Sequence, residues 1–301
     1  MSCPYMHYLR YVEQLKRKGK SRPLSFGSDF HKLLELRADK TKLRKAFSHI
    51  KETYYDLDPK SQMELGDTYL EDLQHIFQDY SKVYKHEILP DKTEQTFDIQ
   101  IGKYHGEPVI FTGVIDELYE QEDGLKIGEH KTFSRKPDML FILMNTQKCL
   151  YAKAVQLLTG AFPARVMWDY IRSTPAKSPV WLKSGKFSEA KNENITKYSW
   201  IRACKEKGIT DKDVLKKGSK LYGGNTTNFF FRLEEDYIPE MVDEIFEGFK
   251  YTAKLIAKQG ELNKAKHTGA NCSWCDYKQI CYAELTGGNV EYVKKKDFEG
   301  R

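Results

Sequence analysis

Two carboxylates and an ammonium fall close together near the middle of the chain, and their spacing is where chemistry first becomes legible. Asp116 follows the run Val109-Ile110-Phe111-Thr112-Gly113-Val114-Ile115, while Glu129 and Lys131 lie in Leu125-Lys126-Ile127-Gly128-Glu129-His130-Lys131-Thr132. Glu122-Asp123-Gly124 stands between them, and Asp-Gly flanked by apolar runs predicts a hairpin. If Asp123-Gly124 is the loop, Asp116 faces Lys131. If the loop is one residue earlier, Asp116 faces Glu129. Either register gathers all three, because Glu129 and Lys131 share a strand face and direct or diagonal cross-strand neighbours touch. Carboxylate oxygens around a gap suit a hard divalent cation, and a nearby lysine can steady a hydroxide or a phosphate. The competing reading is the solvated face of an ordinary hairpin. Against it, the first strand is apolar on both faces from Val109 to Ile115, which predicts burial. An aspartate at the end of a buried strand needs a partner or a metal.

Other residues could join this chemistry. In Gly27-Ser28-Asp29-Phe30-His31-Lys32-Leu33-Leu34 the pattern predicts a helix start capped by Ser28 or Asp29, with His31 in the first turn. A single histidine is more often a packed or solvated residue than a ligand. Pro137 and Gly160 bracket a predicted helix on which Gln147 and Tyr151, four apart, share a face. A plain Gln–Tyr hydrogen bond explains that spacing as well as a function does. Near the end, Cys272-x2-Cys275-x5-Cys281 places three thiols in ten residues, a density that points to a soft metal or an iron–sulfur cluster. Cys3 is the candidate fourth ligand, since Cys149 lies in an apolar helix stripe and Cys204 in a basic segment. Zn²⁺ is the alternative to iron–sulfur at this site.

The elements that must position these residues follow from periodicity. Residues 38–90 carry Phe47, Ile50, Tyr54, Tyr69, Leu73, Ile76, Phe77 and Tyr80 at spacings that fit one or two amphipathic helices. Phe97, Ile99 and Ile101 alternate as a strand before the hairpin. Arg165 to Ile171 is a further strand, Phe229-Phe230-Phe231-Arg232 another, and Tyr237 to Gln259 a long amphipathic helix. Between 176 and 226 stand eleven lysines and one arginine against five acids, a surplus of seven that exceeds the net charge of +6 for the whole chain. Trp181, Phe187, Tyr198 and Trp200 are interleaved there. Such a mixture suits a groove that tracks phosphates while rings stack on bases, and a lysine-rich solvated helix gives the same composition.

With 301 residues, 40% hydrophobic and 31% charged, the chain can bury one full core. It has no apolar run that could span a bilayer and no export signal, which predicts a cytoplasmic protein with no membrane partner. Six cysteines without an export signal read as thiols or metal ligands before disulfides.

Taken in order, four motifs emerge: Gly27-x3-His31, Gly113-x2-Asp116, Glu129-x-Lys131 and Gln147-x3-Tyr151. With Cys3 ahead of them and Cys272, Cys275 and Cys281 behind, the sequence resembles the RecB-type branch of the PD-(D/E)XK nuclease superfamily. It is similar there to members with an iron–sulfur clasp: CRISPR-adaptation nucleases, the AddB nuclease module and phage-encoded exonucleases. The resemblance implies an α/β, restriction-endonuclease-like core, a central mixed sheet flanked by helices, with helical segments clasped by a four-cysteine cluster. It implies one nuclease domain over 1–301: a helical part with the first cysteine (1–90), a catalytic core (91–175), a basic insertion (176–226), and a C-terminal strand, helix and cysteine cluster (227–301). The implied activity is metal-dependent exonucleolytic hydrolysis of DNA, on single strands or ends, in phage or bacterial recombination and processing. His31, Asp116, Glu129 and the His130 carbonyl would hold Mg²⁺ or Mn²⁺, and Lys131 would act on the attacking water. Gln147 and Tyr151 would orient the strand or the lysine, and the four cysteines would bind [4Fe–4S]. DNA is the implied partner, with a homo-oligomer or a recombination protein as further ones. A catalytically inactive DNA-end-binding subunit of the same fold is the competing expectation.

Overall fold

The computed structural model describes residues 3–19, 21–87, 89–259 and 264–300. The elements begin with α1 (Pro4–His7), which runs into a π-helical turn, then β1 (Leu15–Arg17) and α2 (Arg22–Glu35). Next are α3 (Lys40–Tyr55), α4 (Pro59–Leu65), α5 (Tyr69–Val83), β2 (Lys92–Tyr104), β3 (Glu107–Gln121) and β4 (Gly124–Phe133). After these come α6 (Met139–Leu143), α7 (Thr146–Thr159), β5 (Arg165–Arg172), α8 (Lys197–Glu206) and α9 (Lys212–Tyr222). The chain ends with β6 (Phe230–Asp236), α10 (Pro239–Gln259), α11 (Lys278–Thr286), α12 (Val290–Asp297) and β7 (Phe298–Gly300). These residues group into two compact units: Ser21–Phe97 with Thr112–Asp243, and Met1–Lys20 with Asp98–Phe111 and Glu244–Arg301.

The main sheet has five strands in the order β2-β3-β4-β5-β6. β4 pairs antiparallel with β3 and parallel with β5, and β5 pairs antiparallel with β6. The expected mixed α/β sheet flanked by helices is therefore present. In the larger unit, Phe26, Phe30, Leu33 and Leu34 of α2 pack with Leu73, Ile76, Phe77 and Tyr80 of α5 over Ile171 and Phe230. The β3–β4 ladder pairs Gln121 with Gly124 and Glu117 with Gly128. The loop is thus Glu122-Asp123, the earlier of the two predicted positions, and Gly124 supplies the positive φ of +119°.

Several expectations need correction. Val109 to Ile115 is not buried on both faces, because Ile110 and Val114 are exposed; burial concentrates at Ile115 and Glu117 to Tyr119. Residues 38–90 form three helices rather than one or two, since Asp39 and Asp58 each cap a new start with a side-chain oxygen that accepts two backbone N–H groups. Gly27-Ser28-Asp29 is not a helix start either: α2 already begins at Arg22-Pro23, proline being suited to the first turn. His31 consequently lies well inside the helix. The predicted 137–160 helix is broken in two, because Asn145 leaves the helix to cap α7, its side chain accepting the Gln147 N–H. Gly160 ends α7 in the left-handed conformation, as the sequence predicts.

The basic segment holds α8 and α9 around a small core of its own, in which Phe187, Ile195, Trp200, Cys204 and Tyr222 are buried. Phe187 and Trp200 are therefore structural rings that bases cannot reach, which corrects the reading of them as stacking platforms. The ring of Trp200 lies so close to Gly218 of α9 that a Cβ there would fall 2.2 Å from it. The lysines of this segment, by contrast, are nearly all exposed.

In the smaller unit, β1 pairs antiparallel with β7, setting Leu15 against Gly300. Tyr5, Leu9, Tyr277, Ile280 and Phe298 form the core beneath. Lys294 pairs with Glu13 at 2.5 Å. Residues near the two ends of the chain are therefore joined by backbone pairing and apolar packing. Among the described residues, no helix is long and apolar enough to cross a membrane.

Candidate active site

Glu129 and Lys131 project from the same side of β4, because successive strand residues alternate. Lys131 Nζ donates to Glu129 Oε1 at 2.5 Å and to Gln147 Oε1 at 2.8 Å. Gln147 Nε2 in turn donates to Glu129 Oε1 at 3.0 Å and to the Tyr151 hydroxyl oxygen at 2.9 Å. The four-residue spacing on α7 thus places both side chains where they fix the ammonium. Asp116 completes the group from β3: its Oδ2 accepts the His130 backbone N–H at 2.8 Å, and its Oδ1 lies 3.5 Å from Nδ1 of His31. His31, Asp116, Glu129, Lys131, Gln147 and Tyr151 therefore converge, although 120 residues separate the first from the last along the chain. His130 joins them through its backbone.

Two of the motif glycines have a packing reason. A Cβ at Gly113 would stand 2.5 Å from the ring of Phe97, and that ring meets Tyr151 edge-on at 6.1 Å. At Gly27 a Cβ would lie 3.3 Å from Thr132 Oγ1, so the glycine lets α2 approach β4 and carry His31 to the site. Gly113→Ala is expected to push Phe97 onto Tyr151 and so disturb Gln147 and Lys131. A displacement near 1 Å in such a chain can cost up to about 10²-fold in rate, and the overpacking about 1–3 kcal/mol in stability. Cleavage rates and thermal melts of the variant measure the two.

Electrostatics separate the carboxylates. Burial and the Asp116 charge push Glu129 up to about 7 against the pull of Lys131. Burial also opposes ionisation of Asp116, but His31 and His130 outweigh it and hold that group below its ordinary value. Glu129 Oε2 is buried with no hydrogen-bond partner, which is costly unless a cation or a proton occupies the gap.

Sequence reasoning missed two features. The first is Glu94 on β2: ligand atoms of His31, Glu94 and Asp116 all lie within 4.8 Å of one another. Alternation along β2 groups Glu94 with the outward-facing Thr96, but its φ of +48° breaks the alternation. The second lies behind the strand. The His130 ring, 2% exposed, sits 2.9 Å from Glu117 and 3.1 Å from Asp169. Burial disfavours its charge, yet the two carboxylates push it up to about 10, so it is an imidazolium at neutral pH. Arg37 bridges Glu117 and Glu87, and Arg232 bridges Glu87 and Asp169. This buried network clamps the strand segment that carries Glu129 and Lys131. Removing one partner from such a network leaves an uncompensated buried charge.

In the smaller unit, Cys3, Cys272, Cys275 and Cys281 line one cavity of about 300 Å³. All four are free thiols. Burial raises Cys275 and Cys281, and the charge of neighbouring cysteines raises them further. Cys149 and Cys204 are buried elsewhere, in α7 and α8.

A family model described as the PD-(D/E)XK nuclease superfamily matches residues 1–282. The chain belongs to the PD-(D/E)XK nuclease superfamily. That membership agrees with the mixed five-stranded sheet and suggests nucleolytic cleavage, with DNA as the implied substrate and a divalent metal as the usual cofactor. The acidic group around Asp116 can hold such an ion: it offers carboxylate oxygens and an imidazole nitrogen, and it leaves a buried oxygen unsatisfied. No curated protein matches the sequence. Among solved structures, one titled "Crystal structure of SSO0001" is similar, with 11% identity, 87% of this chain and 96% of that chain covered, and a TM-score of 0.32. A likeness of that size carries no argument.

Proposed function

We propose that this chain is a Mg²⁺- or Mn²⁺-dependent exodeoxyribonuclease of the RecB type, acting on single strands or DNA ends in phage or bacterial recombination and processing. The observation that carries this reading is the fixed Lys131 ammonium, held between Glu129 and Gln147 beside Asp116. A lysine so placed can bind and orient an attacking water and offset charge growing on the phosphate. His31, Asp116, Glu129 and the His130 carbonyl are the proposed ligands; a bound cation there polarises the phosphodiester and acidifies water. A nitrogen ligand beside carboxylates tilts the choice towards Mn²⁺. Tyr151 holds Gln147, and Gln147 holds the lysine. The exposed lysines of 176–226 are the proposed phosphate-tracking surface. A time course on 5′- and 3′-labelled single- and double-stranded DNA with Mn²⁺ tests the reading. Progressive shortening from one end supports it, and intact DNA in every arm rejects it.

The cysteine cavity is proposed to hold a [4Fe–4S] cluster in a structural role, with Zn²⁺ as the alternative. The reading rests on the motif spacing and on the four cysteines lining one cavity; among the described residues their sulfurs are not gathered at single-ion ligand distance. Metal bound there would add to the pairing that already joins residues near the two ends of the chain. Anaerobically purified protein is expected to be brown and to absorb near ~400 nm, with the absorbance lost in Cys275→Ser. Stoichiometric zinc in a colourless protein would decide for the alternative.

A further inference from the structure

The sheet face that carries Glu129 and Lys131 continues into an aromatic shelf that no motif assigns. Phe133 is two residues beyond Lys131 on β4, so it projects from the same face about 7 Å further along. Across the sheet, Lys131 pairs with Tyr170 of β5, and Tyr170 with Phe231 of β6. The Tyr170 and Phe231 rings stack at 4.9 Å, and Phe133 meets Phe231 edge-on at 5.6 Å. Tyr170 is buried, while Phe133 and Phe231 are half-buried. Lys136 holds its ammonium 4.8 Å from the centre of the Phe231 ring. Helix α6 adds a second apolar surface. From Met139 to Met144 only Ile142 is buried; Phe141 is 68% and Met144 69% exposed. A contiguous apolar stretch left in water marks a binding surface. The chain itself ties this one to the active site: Met144 precedes Gln147 by three residues, which keeps their Cα atoms within about 11 Å.

We propose that the shelf and α6 together seat unpaired bases of the strand being cut, next to the scissile phosphate. The proposal rests on the nuclease reading above and narrows its substrate to unpaired strands. Position and charge both fit that occupant. A strand with its phosphate at Lys131 advances about 3.4 Å per stacked nucleotide, so two steps bring a base level with Phe133. Aromatic rings take the flat face of any base without reading its sequence, and methionine adapts its shape to either kind of ring. In a duplex those faces are covered by the neighbouring pairs, so only a splayed strand presents them. Arg135 and Lys136, both exposed, stand just ahead of α6 and offset the phosphates. The basic segment, proposed above to track phosphates, leaves β5 after Arg172, the residue that pairs with Phe133. Shelf and lysines therefore begin at the same end of the sheet.

The test is cleavage by the full chain, with Mn²⁺, of single strands of one sequence, either intact or with abasic residues at both ends. The wild type is expected to lose about 10-fold in kcat/KM on the abasic strand, the worth of one stacked base. A variant carrying Phe141→Ser and Met144→Ser, both on the exposed side of α6, is expected to cut the intact strand about 10-fold more slowly. It should also discriminate less between the two strands, because its loss and the abasic loss remove the same contact. Equal cleavage of the two strands by the wild type overturns the proposal, whatever the variant does. So does a variant that keeps the full discrimination, the result expected if α6 docks a protein instead. In both cases intact DNA is still cut and the nuclease reading survives. A wild type that cleaves neither strand, and no duplex, overturns both.

Discussion

Lys131→Ala is expected to lower Mn²⁺-dependent DNA cleavage by about 10²–10⁴-fold, the range of a positioned acid–base or charge-stabilising group. The ammonium is half-buried and held by Glu129 and Gln147, so it is ordered before substrate arrives. Arginine should not rescue the variant. Its planar fork cannot replace a compact ammonium that donates to two oxygens 2.5 and 2.8 Å away. The rate should fall in single-turnover measurements while Mn²⁺ still binds, and the melting temperature should fall as well, because Glu129 loses the charge that offsets its burial. Equal, slow degradation by wild type and variant would mean that another protein in the preparation does the cutting.

Glu129→Gln is expected to act in two directions. Cleavage should fall at least about 100-fold, since even partners of metal ligands are worth 10–100-fold in affinity or activity. In the metal-free protein, however, the variant should be more stable than the wild type. The Glu129 carboxyl is pushed up to about 7 from an ordinary 4.5 by burial and by Asp116. The folded state therefore binds that proton more tightly than the unfolded state does. Stability from this group falls as pH rises from 4.5 to 7 and stays low above, a loss of the order of 1–3 kcal/mol. Glutamine cannot titrate and avoids it. Melts in EDTA at pH 5 and pH 8 should show a small advantage for Glu129→Gln at the lower pH and a larger one at the higher. No difference at pH 8 would mean that Lys131 fully compensates the charge.

What was legible in the sequence, and what was not, follows from the range of the forces involved. The hairpin was readable because Asp-Gly and its flanking apolar runs act locally, and β3 and β4 pair in one of the two predicted registers. The convergence of Gln147 and Tyr151 on Lys131 was readable only in part: helical spacing puts them on one face, but packing decides which way that face turns. The boundaries of α2 and the break before α7 were missed because Pro23 and Asn145 outweigh signals that also fit other caps. Glu94 was hidden for a stronger reason. Its parity in β2 groups it with Thr96, and neither its left-handed φ of +48° nor its place beside His31 and Asp116 follows from local sequence pattern. The buried network around His130 was equally silent, because Glu117, Asp169, Arg37 and Arg232 come from four separate segments. Phe187 and Trp200 taught the opposite lesson: rings among lysines can form a small local core.

The centre itself is tested most directly by anomalous scattering from crystals of the full chain soaked in Mn²⁺. Manganese peaks within ligand distance of the Asp116 carboxylate, flanked by His31 and Glu129, are the predicted result. Crystals of cleavage-competent protein with no manganese at Asp116 would contradict it.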